Sequence, residues 1–359
     1  MLVVGAALGF LLLLVIGAMA LLRDGPTSSP GTGEQTTASQ DAGEAVDVSP
    51  TGAGKGLGSA TAKTDAGAHA PLEVWSKSTW GSGPGQLGRD RRPEGNAEGP
   101  MSLTASRNGE LLVLDQANGR LARYGADGKF KDSVPLTVQS AQDVVQSPDG
   151  KSFVLDRLAD GAVAILDPDG KQVGELPLLG VAVKEGGAVT GLFVDGEDVY
   201  VEQEHGVLNR IGDIKGKADQ TQPEVPGRPT RDGRSFISAG IVDGAAGRLF
   251  VSAIDRQAMA QRFTREYRLP PRVSSIALLD TDGSGIIYLA VLLEPPEGKE
   301  AVQLMCLDPL DGRPLGGAVL PANTLPEETF RDFAVLDNGG VIYSFRTEEG
   351  VELRRYDCR

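Results

Sequence analysis

Histidine, cysteine and tryptophan are nearly missing from this 359-residue sequence, at two of each, and aromatic residues make up only 5% of it. So few histidines and cysteines exclude a zinc ribbon, a disulfide-dense scaffold and a haem site, and no cofactor or metal is expected. Basic residues are the scarcer charge: 35 Lys plus Arg against 49 Asp plus Glu leave a net charge of -14. That balance removes the electrostatic footing of nucleic-acid binding and mainly keeps the chain soluble. Charge is absent altogether from Met1 to Leu22, and aromatic residues are absent from Arg23 to Pro71. Beyond Leu72 no long stretch repeats its apolar residues with a 3.6-residue period, which argues against a helical domain.

The N-terminal residues 1–22, MLVVGAALGFLLLLVIGAMALL, would rise about 33 Å as a helix, enough for a hydrocarbon core of about 30 Å. No basic segment precedes this run, and it is longer than the apolar part of a signal peptide, so it predicts an uncleaved transmembrane signal-anchor. Ala18-Met19-Ala20 keeps open the alternative of cleavage near Ala20 and secretion. Gly5 and Gly9 form a small-xxx-small pair of the kind that lets two membrane helices approach. Residues 23–71 are Gly, Ala, Ser, Thr and Pro with scattered charge, too little apolar surface to offset the entropy of ordering. They are expected to be a disordered linker with a reach of roughly 35 to 42 Å.

From Leu72 onward the pattern is period-two apolar alternation in short runs broken by turn dipeptides. These are Asn108-Gly109, Asp127-Gly128, Asp149-Gly150, Asp169-Gly170, Asp195-Gly196, Asp243-Gly244, Asp282-Gly283, Asp311-Gly312 and Asn338-Gly339. Such pairs supply the positive φ that tight hairpins need. Aligning them gives repeats whose innermost strands begin near Met101, Ala141, Val189, Phe236, Val273 and Phe330, at intervals of about 37 to 57 residues. The expectation is an all-β, six-bladed β-propeller over residues 72–359, with five or seven blades as alternatives. The last unit has only three strands before the chain ends, so residues 72–80, LEVWSKSTW, are expected to complete it and close the ring.

The first unit resembles an NHL repeat. The likeness is carried by Trp80-Gly81-Ser82-Gly83-Pro84-Gly85-Gln86-Leu87, Gly99-Pro100, Asn108-Gly109 and LLVLDQANGRLARY from Leu111 to Tyr124. Asp115, Asn118 and Arg120 match the family's Asp-x-x-Asn-x-Arg core, with Gly119 where the family's histidine usually stands, and Asp156 and Asp160-Gly161 echo it in the second unit. The resemblance implies a propeller used as a binding or scaffolding platform. Some NHL-like propellers are enzymes, including a metal-dependent lyase with several channel histidines. Here His205 is the only histidine beyond the linker's His69, so that activity does not carry over.

His205 reads as an ordinary surface residue. Asp280-Thr281-Asp282-Gly283-Ser284-Gly285 begins like a calcium loop, but Val291 stands where a bidentate Glu is needed, and a hairpin turn is the expectation. Three arginine groups offer forks for carboxylate or phosphate: Arg89, Arg91 and Arg92; Arg228, Arg231 and Arg234; and Arg262, Arg265, Arg268 and Arg272. The first two groups, which fall in Pro- and Gly-containing insertions, are the candidate partner surface. Cys306 and Cys358 fall in the third strands of neighbouring units and are a candidate disulfide, which would place the domain outside the cytoplasm. The function expected is a non-catalytic, membrane-tethered, extracytoplasmic binding or scaffolding module of the cell envelope, on the periplasmic side, with an envelope or membrane protein as partner and no nucleic acid. The alternative is an extracytoplasmic enzyme or small-ligand sensor with its site in the central channel.

Overall fold

The computed structural model describes residues 73–269, 272–296 and 298–358; the expected anchor (1–22), the linker (23–71) and residue 72 lie outside the described residues. The described residues form six four-stranded antiparallel sheets, the blades of a propeller. Strand β1 (Glu73–Thr79) comes first in the chain. The first blade is β2 (Pro100–Ala105), β3 (Leu111–Asp115), β4 (Arg120–Tyr124) and β5 (Phe130–Pro135). The second is β6 (Asp143–Gln146), β7 (Ser152–Asp156), β8 (Ala162–Leu166) and β9 (Gln172–Pro177). The third is β10 (Val189–Asp195), β11 (Asp198–Gln203), β12 (Val207–Asp213) and the short β13 (Glu224–Val225). The fourth is β14 (Arg228–Pro229), β15 (Ser235–Asp243), β16 (Arg248–Asp255) and β17 (Ala260–Arg268). The fifth is β18 (Arg272–Thr281), β19 (Ile287–Glu294), β20 (Ala301–Leu307) and β21 (Pro314–Pro321). The sixth joins β22 (Phe333–Val335), β23 (Val341–Thr347) and β24 (Gly350–Tyr356) to β1, which pairs antiparallel with β24 from Glu73↔Arg355 to Thr79↔Gly350. Pairing the first described strand with the last leaves no open edge at that seam.

Because every sheet is antiparallel, first-to-second and third-to-fourth strand connections emerge on one face of the ring, the turn face, and the remaining connections on the other, the loop face. Eight of the nine turn dipeptides lie on the turn face, and the ninth, Asp243-Gly244, joins β15 to β16 on the loop face. That exception displaces one strand assignment: Phe236 belongs to the second strand of the fourth blade, whose first strand is the two-residue β14. A strand of Arg and Pro shows no alternation, so the repeat alignment passed over it. Phe330 likewise precedes β22 and packs from its loop against the clusters between blades one and two and between blades two and three.

Alternation puts apolar side chains on both faces of each sheet, where they pack against the adjacent blades. Five such clusters occur among the described residues, between blades one and two, two and three, four and five, five and six, and six and one. No described helix is long and apolar enough to cross a membrane.

Candidate functional site

In the first blade, the residues that carry the NHL resemblance fasten a loop. Asp115, fully buried at the end of β3, accepts from the Gly88 amide at 2.8 Å, from Asn118 Nδ2 at 2.8 Å and from Arg120 Nε at 2.8 Å. Asn118 donates onward to the Gly81 carbonyl at 2.9 Å, and Arg120 to those of Ser82, Gly83 and Gln86. Gly119 has φ of 61°, a left-handed conformation that glycine adopts without the strain a histidine side chain would meet. Asp156 of the second blade repeats the role on a smaller scale, accepting from the amides of Ser140, Leu158 and Ala159.

The loop so held carries Arg89, Arg91 and Arg92 on the loop face, each engaged by acids. Arg91 Nε lies 2.5 Å from the buried Glu327, Arg89 Nη1 2.9 Å from Glu348, and Arg92 Nε 2.6 Å from Asp90. Arg91 and then Arg89 hold the Glu348 carboxyl below the usual carboxylate range. Arg346 is 5% exposed, and its Nε and Nη1 have no partner among the described residues; nor has Glu327 Oε2.

The second arginine group lies elsewhere. Arg228 enters the central channel: its Nε and Nη2 reach Glu202 Oε1 in the third blade at 3.0 and 2.7 Å, and its Nη1 reaches the Leu279 carbonyl in the fifth at 2.5 Å. Arg231 ties blade four to blades five and six, through Asp280 at 2.6 Å and the Val335 carbonyl at 3.0 Å. Arg234 stays exposed on the turn face beside Asp232. The six arginines therefore do not share one surface. Of the third group, Arg262 pairs with Asp255, while Arg265 and Arg268 follow on outermost strand β17 and Arg272 opens β18.

Sequence reasoning missed the channel's other members. Arg331 donates through Nη2 to Asp143 at 2.6 Å and to the Leu192 carbonyl at 2.8 Å. Asp143, with no exposure, also accepts from Ser102 Oγ at 2.5 Å and the Leu192 amide at 3.0 Å, so blades one, two, three and six meet at one carboxylate. Phe193 receives both guanidiniums on its ring, Arg228 at 4.7 Å and Arg331 at 5.2 Å from the centroid. Around them lies a cavity of about 220 Å³, lined also by Thr190, Glu202, His205 and Phe330. An Asp opening a strand, as in Asp143-Val144-Val145, was the available signal, since a strand-end acid that becomes fully buried needs a cation or several donors.

His205 stands at the mouth of this cavity on the loop face. It and Glu204 occupy the centre of the β11–β12 hairpin with φ of 57° and 49°, values a side chain adopts at a cost of order 1 kcal/mol each. The Asp280–Gly285 segment is a hairpin turn. Asp280 faces Arg231, while Asp282 accepts from the amides of Ser284 and Ile286, so its carboxylates diverge. Cys306 and Cys358 lie with Cα atoms 6.0 Å apart and their sulfurs joined, beside a 510 Å³ cavity between blades five and six.

No protein-family model matches the sequence, and no curated protein matches it. Among solved structures the chain is similar to Kuenenia stuttgartiensis hydrazine synthase (15% identity, 72% of this chain and 78% of that one, TM-score 0.44). It is similar also to the RRP9 WD40 repeats (10% identity, 75% and 97%, TM-score 0.45) and to virginiamycin B lyase from Staphylococcus aureus (13% identity, 72% and 94%, TM-score 0.39).

Proposed function

We propose that this propeller is a non-catalytic protein-binding module of the cell envelope, held outside the cytoplasm by the apolar segment at residues 1–22, and that its loop face receives the partner. One observation carries the reading: exposed apolar residues gather on loop-face connections of the second and third blades. Leu158 is 65% exposed, Val181 65%, Leu179 54% and Val207 41%. Isolated exposed apolar residues are ordinary, and four at loop-face connections of two adjacent blades offer a partner apolar surface to cover. Arg89, Arg91 and Arg92 add a charged rim on the same face, where polar contacts set specificity more than affinity. The cysteine pair supports an oxidising compartment.

The test is crosslinking in intact cells and capture of the tagged full-length chain, against a Leu158→Asp, Val181→Asp double variant. Recovery of an envelope protein by the parent and its loss with the variant supports the reading. Equal recovery by both, or recovery of a cytoplasmic protein, overturns it.

A further inference from the structure

Arg228 and Arg331 are fixed in the channel by more contacts than neutralisation requires, yet neither guanidinium is fully used. Nη2 of Arg331 serves both Asp143 and the Leu192 carbonyl, leaving Nε and Nη1, with three N–H groups, without an acceptor among the described residues. Arg228 gives one N–H each from Nε and Nη2 to Glu202 and one from Nη1 to Leu279, leaving two more. Both line the 220 Å³ cavity and both lie against the ring of Phe193. The other lining acids are occupied: Asp280 by Arg231, Asp332 by Asn323, Thr329 and Arg346.

We propose that this cavity is a binding site for a small free oxyanion, a phosphate or a low-molecular-weight carboxylate, held between the unspent N–H groups of Arg331 and Arg228. Guanidinium donors already immobilised by buried carboxylates lose little side-chain entropy on binding, and charge-assisted hydrogen bonds are the strong ones. The volume admits a group of a few heavy atoms and excludes a folded chain segment, so the ligand is a free molecule. The site is distinct from the loop-face apolar residues: its lining contains none of Leu158, Leu179, Val181 and Val207.

The experiment is calorimetric titration of the full-length chain in detergent with sodium phosphate and, separately, sodium acetate at constant ionic strength, each also as competitor of the other. Saturable binding of either, displaced by the other, is expected. Arg331→Gln is expected to weaken it at least about tenfold, the loss of one charged hydrogen-bonding group. Because that variant also releases Asp143, Ala277→Asp serves as a second: Ala277 is exposed and lines the cavity, so an acid there repels the anion without touching either arginine tie. It is expected to weaken binding by a similar factor with an unchanged near-ultraviolet spectrum. No saturable binding of either anion to the folded parent, or unchanged affinity in both variants, overturns the proposal.

Discussion

Between the fifth and sixth blades, Phe333 stacks on Tyr343 with centroids 4.5 Å apart inside a continuous apolar cluster, Tyr288 accepts from the Gly340 amide across the seam, and Cys306–Cys358 joins the two blades covalently. Between the third and fourth blades no comparable cluster forms among the described residues. Arginines cross instead: Arg228 to Glu202, and Arg256 to Asp195 at 2.5 Å while lying over Phe236. The difference follows from strand length. A two-residue β14 has too few positions to present an apolar face, so the fourth blade meets the third through long charged side chains whose stems pack and whose heads pair. Apolar burial needs no charged partner, whereas an ion pair depends on both members being present.

Removing an apolar member of the fifth-to-sixth seam should cost most. Phe333→Ala is expected to destabilise by about 3 to 5 kcal/mol in denaturant unfolding, and a loss under about 1 kcal/mol would mean the cluster is not what closes that seam. Cys306→Ser with Cys358→Ser should cost somewhat less, about 4 kcal/mol at most from the entropy of a loop closed across 52 residues, read by unfolding of the purified chain. At the third-to-fourth seam, Glu202→Leu leaves the partly buried Arg228 without its carboxylate and should cost about 1.5 to 3 kcal/mol. Adding Arg228→Met should recover most of that, because two apolar residues replace a pair whose desolvation offsets its attraction. A double variant as unstable as the single would show that the ion pair itself holds the blades.

Alkaline pH probes both seams together. Burial, above all, pushes Tyr288 and Tyr200 up to about 12, with Asp198 and Asp195 adding to the shift of Tyr200. A tyrosine whose pKa is raised in the fold contributes stability fully below its unfolded value near 10, and loses it as pH rises through 12. The expected loss is about 2 to 3 kcal/mol per ring. Tyrosinate absorbance should therefore rise together with unfolding, and free ionisation near pH 10 in a folded chain would contradict the burial. Smallest of all, Arg92→Ala should leave the denaturation midpoint unchanged, since its pairs with Asp90 and Glu98 are solvent-screened. The effect to measure there is partner capture.

Much of this was legible beforehand, for reasons that particular residues make plain. Asp282-Gly283 and Asn338-Gly339 mark hairpins because turn chemistry is local, and LEVWSKST alternates as a strand whatever it pairs with. Asp115, Asn118 and Arg120 stand within six residues of one another, so their joint role was visible as a pattern. Arg331 and Asp143 were not, because they are separated by 188 positions and each alone reads as a solvated charge. The grouping of Arg228, Arg231 and Arg234 misled for the same reason: strand β14 and its turn aim neighbouring side chains at the channel, the channel's far end and solvent.

The sequence by itself determined the class of element and the repeat of short strands, because alternation and turn residues act over a few positions, while the structure fixed the blade number at six. Only the tertiary structure decided which charges are buried together. Closing six sheets into a ring brings the inner strands and connections of distant blades to one axis, and there Arg228 and Arg331 meet over Phe193, each held by an acid, Glu202 and Asp143.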